Sequence, residues 1–362
     1  MNCPARGRIN EGNISVHSLK EHRYKCSVCG KTFAETKGTP FYRLRHSQEL
    51  VTRVVTLLSF GCPTQAIVAA FGLDERTVSS WQDRAGCHCQ ALHQKLVAAP
   101  RDLGQVQMDE LRVKLQGHIV WMAMALMVST RLWLGGVVAS SRDRTLITNL
   151  VEKVRASASA LCRGILFCTD GLKAYITAIR LVFRESVPTG QAGRRHLQGW
   201  KRIFIAQMVK QYEQGRVIGI ERRIIQGTQP EIDSMLERTQ GRGVINTAFI
   251  ERLNATFRQS LSSLARRTRA IARHIRTLEA GMYLVGSVYN FCTEHKSLRI
   301  EGLIGGHKWL ERTPAMAAGI AQYRWTVREL LSFHVAPPAW KPPVRRGRPS
   351  EATKLLVARW YQ

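Results

Sequence analysis

The chain has 362 residues, 44% hydrophobic and 22% charged, which supports a sizeable folded core and excludes collagen, coiled coil and wholesale disorder. Lys and Arg number 54 against 26 Asp and Glu, a net charge of +28. A folded chain this basic must offset strong self-repulsion, so the expected partner is a polyanion, nucleic acid ahead of anionic membrane.

The longest apolar run, Ile119 to Val128, is far shorter than the roughly 20 residues of a spanning helix, and no basic-apolar-small pattern follows Met1. Nine cysteines are too sparse for a disulfide scaffold. The thiols are expected to be reduced and the protein cytoplasmic, nucleoid-associated in a prokaryote, with no membrane partner.

Residues 1–46 carry Cys26-Ser-Val-Cys29-Gly30, the spacing of half a zinc site on a tight turn. Cys3 lies 23 residues before Cys26. The expectation is a zinc-ribbon-like module in which Cys3, Cys26 and Cys29 hold a structural Zn²⁺. The fourth ligand is left open between His17, His22 and a cysteine preceding this sequence.

Residues 47–98 read as three helices. Leu50, Val51, Val54, Val55 and Leu58 have helical 3-4 spacing, Gln65 to Phe71 is a second short helix, and Gly72-Leu73-Asp74 is a turn. Asp74 can cap a third helix that runs through Trp81. Helix, Gly-containing turn, helix is a helix-turn-helix arrangement. It would present Arg76, Thr77, Ser79, Ser80 and Gln82 to the major groove of double-stranded DNA.

From residue 103 the period switches. Val106 to Leu115, His118 to Ser129 and Leu132 to Ala139 read as strands, and Thr145 to Val154 as a helix. Gly164 to Cys168 reads as a strand ending on Thr169-Asp170-Gly171, and Leu172 to Phe183 as a helix. Three strands, helix, strand, helix opens an RNase H-like α/β domain. In that topology the first and fourth strands are neighbours, so Asp109 and Asp170 should meet at one end of the sheet. Two adjacent carboxylates repel, and Mg²⁺, or Mn²⁺, removes the repulsion through oxygen ligands.

A third carboxylate is expected from Glu251, on the helical stretch opened by Asn246-Thr247-Ala248-Phe249-Ile250. Glu251, Asn254 and Arg258 share one helix face. Glu251 is the one acid among seven Arg between residues 251 and 276. The Arg-rich run is expected to continue as a helix, with Arg258, Arg266, Arg267 and Arg269 lining a DNA path. Between Asp170 and Glu251, Ile203 to Gln211 and Arg216 to Ile225 read as a hairpin, at about 200–226.

Three acidic segments in this order carry a resemblance. Gln107-Met108-Asp109-Glu110, Cys168-Thr169-Asp170-Gly171-Leu172-Lys173-Ala174-Tyr175 and Asn246 through Arg258 are similar to the transposases of the insertion sequence one family. So is the order of zinc-ribbon-like module, helix-turn-helix and catalytic core. The resemblance implies a DDE-type transposase, with Asp109, Asp170 and Glu251 as metal-binding acids and Arg258 touching terminal DNA phosphate. The expected activity is hydrolysis of the phosphodiester at the element's 3′ end, then joining of the freed 3′-hydroxyl to target DNA, by a homodimer or higher oligomer on DNA. The alternative is a DNA-binding regulator that has lost catalysis. The chain departs from the family in its incomplete cysteine set and in joining both halves in one reading frame.

The catalytic region is expected to span 103–295, with His295 in a packing or capping role. Residues 296–362 form a basic extension. In it, Arg345-Arg346-Gly347-Arg348-Pro349 resembles an AT-hook, whose Arg346 and Arg348 would enter a narrow minor groove.

Overall fold

Burial of alternating and helically spaced apolar residues builds two units in this computed structural model. It describes residues 3–360 except 9, 162, 188–194, 242, 267, 269, 305, 306, 342–346, 348 and 349. One unit comprises residues 1–48 and 332–362, the other 49–331. The AT-hook-like arginines, Arg346 and Arg348, lie outside the described residues, as do Arg267 and Arg269.

In the first unit, β1 (Ile14–Ser18), β2 (Arg23–Cys26) and β3 (Thr32–Ala34) form an antiparallel sheet in that order. Tyr24 and Phe33 pair across β2 and β3 with stacked rings, a cross-strand contact that helps so small a sheet hold together.

The second unit opens with α1 (Gln48–Ser59), α2 (Thr64–Phe71) and α3 (Glu75–Leu96). Val51, Val54, Val55 and Leu58 bury the inner stripe of α1. Gly72 ends α2 with φ +62°, a left-handed conformation that glycine adopts without a Cβ clash. Asp74 caps α3, its side chain accepting from the Arg76 amide at 2.8 Å. This third helix runs to Leu96, well past the Trp81 expected from sequence. Ala85, Cys89 and Leu92 continue its buried stripe, and Gly86 lets it approach α8 (Ile275–Phe291) closely: a Cβ at Gly86 would sit 2.3 Å from the Ala280 carbonyl oxygen.

The core is a six-stranded mixed sheet. It contains β4 (Gly104–Lys114), β5 (Ile119–Met127), β6 (Leu132–Ala139) and β7 (Ile165–Asp170). After the small β8 (Arg184–Val187) and β9 (His196–Gly199) ribbon come β10 (Ile203–Glu213) and β11 (Arg216–Gln226). The strand order is β11-β10-β7-β4-β5-β6. β4 and β10 run parallel to β7, and the remaining pairs are antiparallel. β5 lies between β4 and the edge strand β6 and reads as a nearly continuous apolar run because both of its faces are covered.

Helices α4 (Arg144–Ala156), α5 (Lys173–Val182), α6 (Gln229–Gln240), α7 (Ala248–Ser260) and α8 flank the sheet. Successive residues of β4 face opposite ways. Glu110 reaches Tyr175 of α5 and Asp109 reaches Asn254 of α7, so these helices cover opposite faces. The Arg-rich run after Glu251 is not one helix. α7 stops at Ser260, and the backbone turns extended at Leu261 (φ −121°, ψ 104°), burying Leu261 and Leu264 before α8 begins at Ile275. No helix among the described residues is long and apolar enough to cross a membrane.

Candidate metal and nucleic-acid sites

The parallel register of β4 on β7 pairs Gly104 with Ile165 and Gln107 with Cys168, an offset of 61 that carries forward to Asp109 and Asp170. Pairing ends at Gln107, and the acids gather in the gap beyond. Carboxylate oxygens of Asp109, Glu110 and Asp170 all lie within 4.8 Å of one another.

Glu251, expected as the third acid, is outside that close group, whose third member is Glu110; it lies on the wall of the same cavity, about 460 Å³, with Asp109 and Asp170. Its orientation begins on β4. Gln107, two residues before Asp109, accepts from the Phe249 and Ile250 amides at 3.0 Å each, and its own amide donates to the Asn246 carbonyl at 2.8 Å. That bolts the first turn of α7 to the sheet. The Thr247 hydroxyl then donates to Glu251 Oε1 at 3.0 Å. One helical turn later, Asn254 Nδ2 donates to Asp109 Oδ2 at 2.7 Å. Asn254 is buried, and its Oδ1 has no hydrogen-bond partner among the described residues.

Two cations sit among the acids. Arg142, in the turn before α4, bonds both Glu110 and, at 3.2 Å, Asp170. Lys210 of β10 reaches Glu251 Oε1 at 2.8 Å. Glu251 therefore pairs across the cavity and not with its helical neighbours Arg252 or Arg258. The Tyr175 hydroxyl donates to Glu110 Oε2 at 2.6 Å.

Burial and the charges of Glu110, Asp170 and Glu251 push the Asp109 carboxyl up to about 7. Burial also raises Glu110, against the bonds from Tyr175 and Arg142. The Glu251 carboxylate raises Lys210. Crowded oxygen ligands of this kind are a group that could hold a hard cation.

Arg258 is half-buried on α7. Burial and its neighbour Arg266 lower its affinity for a proton, while Asp109 acts the other way. Arg258 and Arg266 line a second groove. On α3, Arg76 and Ser80 are exposed, and Thr77, Ser79 and Gln82 are half-buried. Gln82 faces α8, where a Cβ at Gly281 would come 3.3 Å from its Nε2.

In the first unit, the sulfurs of Cys3, Cys26 and Cys29 lie within 4.8 Å of one another. Cys26 Sγ accepts from Asn13 at 3.8 Å. Burial works to raise the Cys26 thiol, but the Cys29 and Val28 amides outweigh it and lower it. His17 and His22 do not join this group, and His22 stands 3.5 Å from Glu35. In the second unit, His295 packs edge-on against Tyr289, its ring centroid 4.6 Å away.

Glu110, Arg142, Lys210, Asn254 and Gln107 all join the acid site, and sequence reasoning assigned none of them a role there. Gln107 and Glu110 left a signal as members of the Asp109 segment, and Asn254 as a residue sharing a helix face with Glu251. Arg142 and Lys210 arrive from distant elements and left none. No protein-family model matches the chain, and no curated protein matches it.

Proposed function

We propose that the chain is a DNA transposase of the DDE type, similar to the insertion sequence one family, with an RNase H-like core. The observation that carries this reading is the convergence of Asp109, Asp170 and Glu251 on one open cavity, from a central strand, its parallel neighbour and a following helix. The donor set is all oxygen, and the unpartnered buried Oδ1 of Asn254 adds another beside Asp109, so the site fits Mg²⁺ or Mn²⁺.

Asp109 and Asp170 would hold such a cation from the sheet and Glu251 from α7, and it would supply activation of a water or hydroxyl nucleophile and charge for the phosphoryl oxygens. Gln107 and Asn254 keep α7 and Asp109 in register. Arg258 sits beyond Asp109 to meet the phosphate of the flanking DNA strand. Arg142 bonds both Glu110 and Asp170 and sets a positive charge between them.

The three helices α1–α3 act as a helix-turn-helix reader of the element ends, and the three-stranded unit with Cys3, Cys26 and Cys29 acts as a zinc ribbon with an incomplete ligand set. Double-stranded DNA is the substrate, and a dimer or higher oligomer brings two ends together. The test is a strand-cleavage assay on duplexes carrying the element's own ends, with Mg²⁺ or EDTA. Metal-dependent release of a 3′-hydroxyl supports the reading, and its absence with intact DNA binding removes the catalytic part.

A further inference from the structure

Beside the acid cavity lies a second groove, of about 770 Å³, between the far end of β4 and the non-helical segment after α7. Four cations line it: Arg112 and Lys114 from β4, Arg258 from the last turn of α7, and Arg266 beyond it. No lining residue is acidic. Among the described residues none of the four pairs with a carboxylate, whereas Arg142 and Lys210 in the acid cavity both do. Four unpaired like charges in one groove repel each other, and a polyanion is the ligand that relieves this.

The groove has a direction. Arg112 and Lys114 share a face of β4 with Glu110 of the acid cluster, two and four residues on, which at about 3.4 Å per residue is roughly 7 and 14 Å away. We propose that this groove carries the phosphate backbone of the strand running away from the acid cluster, with Arg112 and Lys114 on the phosphates next beyond the reacting one. This deepens the transposase reading and rests on it for the identity of the reacting phosphate. The contacts are to backbone charge, so they hold the strand in place without selecting its sequence.

The experiment uses the full chain and a fluorescein-labelled duplex. Arg112→Ala with Lys114→Ala lowers the slope of log affinity against log salt by about 2, because each lost phosphate contact removes about 0.9. The charge-keeping pair Arg112→Lys with Lys114→Arg restores the slope, which excludes a folding defect. An unchanged slope in the alanine variant overturns the proposal. So does lost binding of an acidic peptide with DNA binding intact, since the groove would then be a protein site.

Methylphosphonate scanning tests the register. Neutral phosphates within the first few nucleotides beyond the cut slow the wild-type chain and leave the alanine variant unaffected. A flat scan there overturns the assigned path. A chain that cannot cleave but whose alanine variant still loses the slope keeps this groove and discards the catalytic reading. A chain that cleaves while the slope stays fixed does the reverse.

Discussion

The side-chain amide of Asn254 donates to Asp109 across 2.7 Å, joining α7 to the central strand one turn beyond Glu251. Partners of this kind orient a ligand as much as they hold it, and their loss typically weakens metal binding about 10- to 100-fold. Asn254→Ala should therefore weaken Mn²⁺ binding by about that factor, read by calorimetric titration. Unchanged Mn²⁺ affinity in a folded variant would show that Asp109 is held without it.

Lys210 competes with any cation for Glu251, at 2.8 Å and on the open side of the cavity. The pair is partly exposed, so its worth is about 1 kcal/mol or less. Lys210→Met should tighten Mn²⁺ binding by up to about fivefold. Weaker binding would mean that Lys210 supports the site.

Protonation of Asp109 has a signed consequence. Its folded carboxyl titrates at about 7, while an unfolded Asp titrates at about 3.9. The folded state thus binds this proton more tightly. The stability it contributes is complete below about pH 4 and is lost as pH rises through about 7. In EDTA the thermal midpoint should fall across that window, and Asp109→Asn should flatten the fall. Added Mg²⁺ should restore stability most at the high end, because it replaces the proton. A midpoint independent of pH in EDTA contradicts the assignment.

The contact between α3 and α8 depends on a missing side chain. A Cβ at Gly86 would lie 2.3 Å from the Ala280 carbonyl oxygen, and backbone cannot move aside as a flexible side chain does. Gly86→Ala should cost about 2–3 kcal/mol, at the upper end for overpacking, and lower the unfolding temperature in calorimetry. An unchanged transition would mean the helices separate freely.

The sheet was legible because its strands change period and composition sharply. The β5 run is apolar on both faces, and β7 ends directly on Asp170. The extent of α3 was not, because polar Asp83 and Arg84 follow Trp81 and the continuing stripe passes through Ala85 and Cys89, small residues that mark a face weakly. The end of α7 was masked by arginines that favour helix. Leu261 and Leu264 keep helical spacing with Leu253 and Phe257, so the pattern carried no stop signal, yet the chain leaves the helix at Leu261 and both leucines are buried. In the site, the acids were readable one by one. Arg142 and Lys210 were not, because they reach the acids from the turn before α4 and from β10, partners set by tertiary folding alone.

The central claim is that Asp109 and Asp170 are catalytic metal ligands, and the most direct measurement is strand cleavage of an element-end duplex by Asp109→Asn and Asp170→Asn, with binding followed in parallel. The account predicts that both variants lose Mg²⁺-dependent cleavage while binding the duplex as tightly as wild type or slightly more tightly, because a negative charge beside phosphate is gone. Cleavage at the wild-type rate by both variants would contradict it.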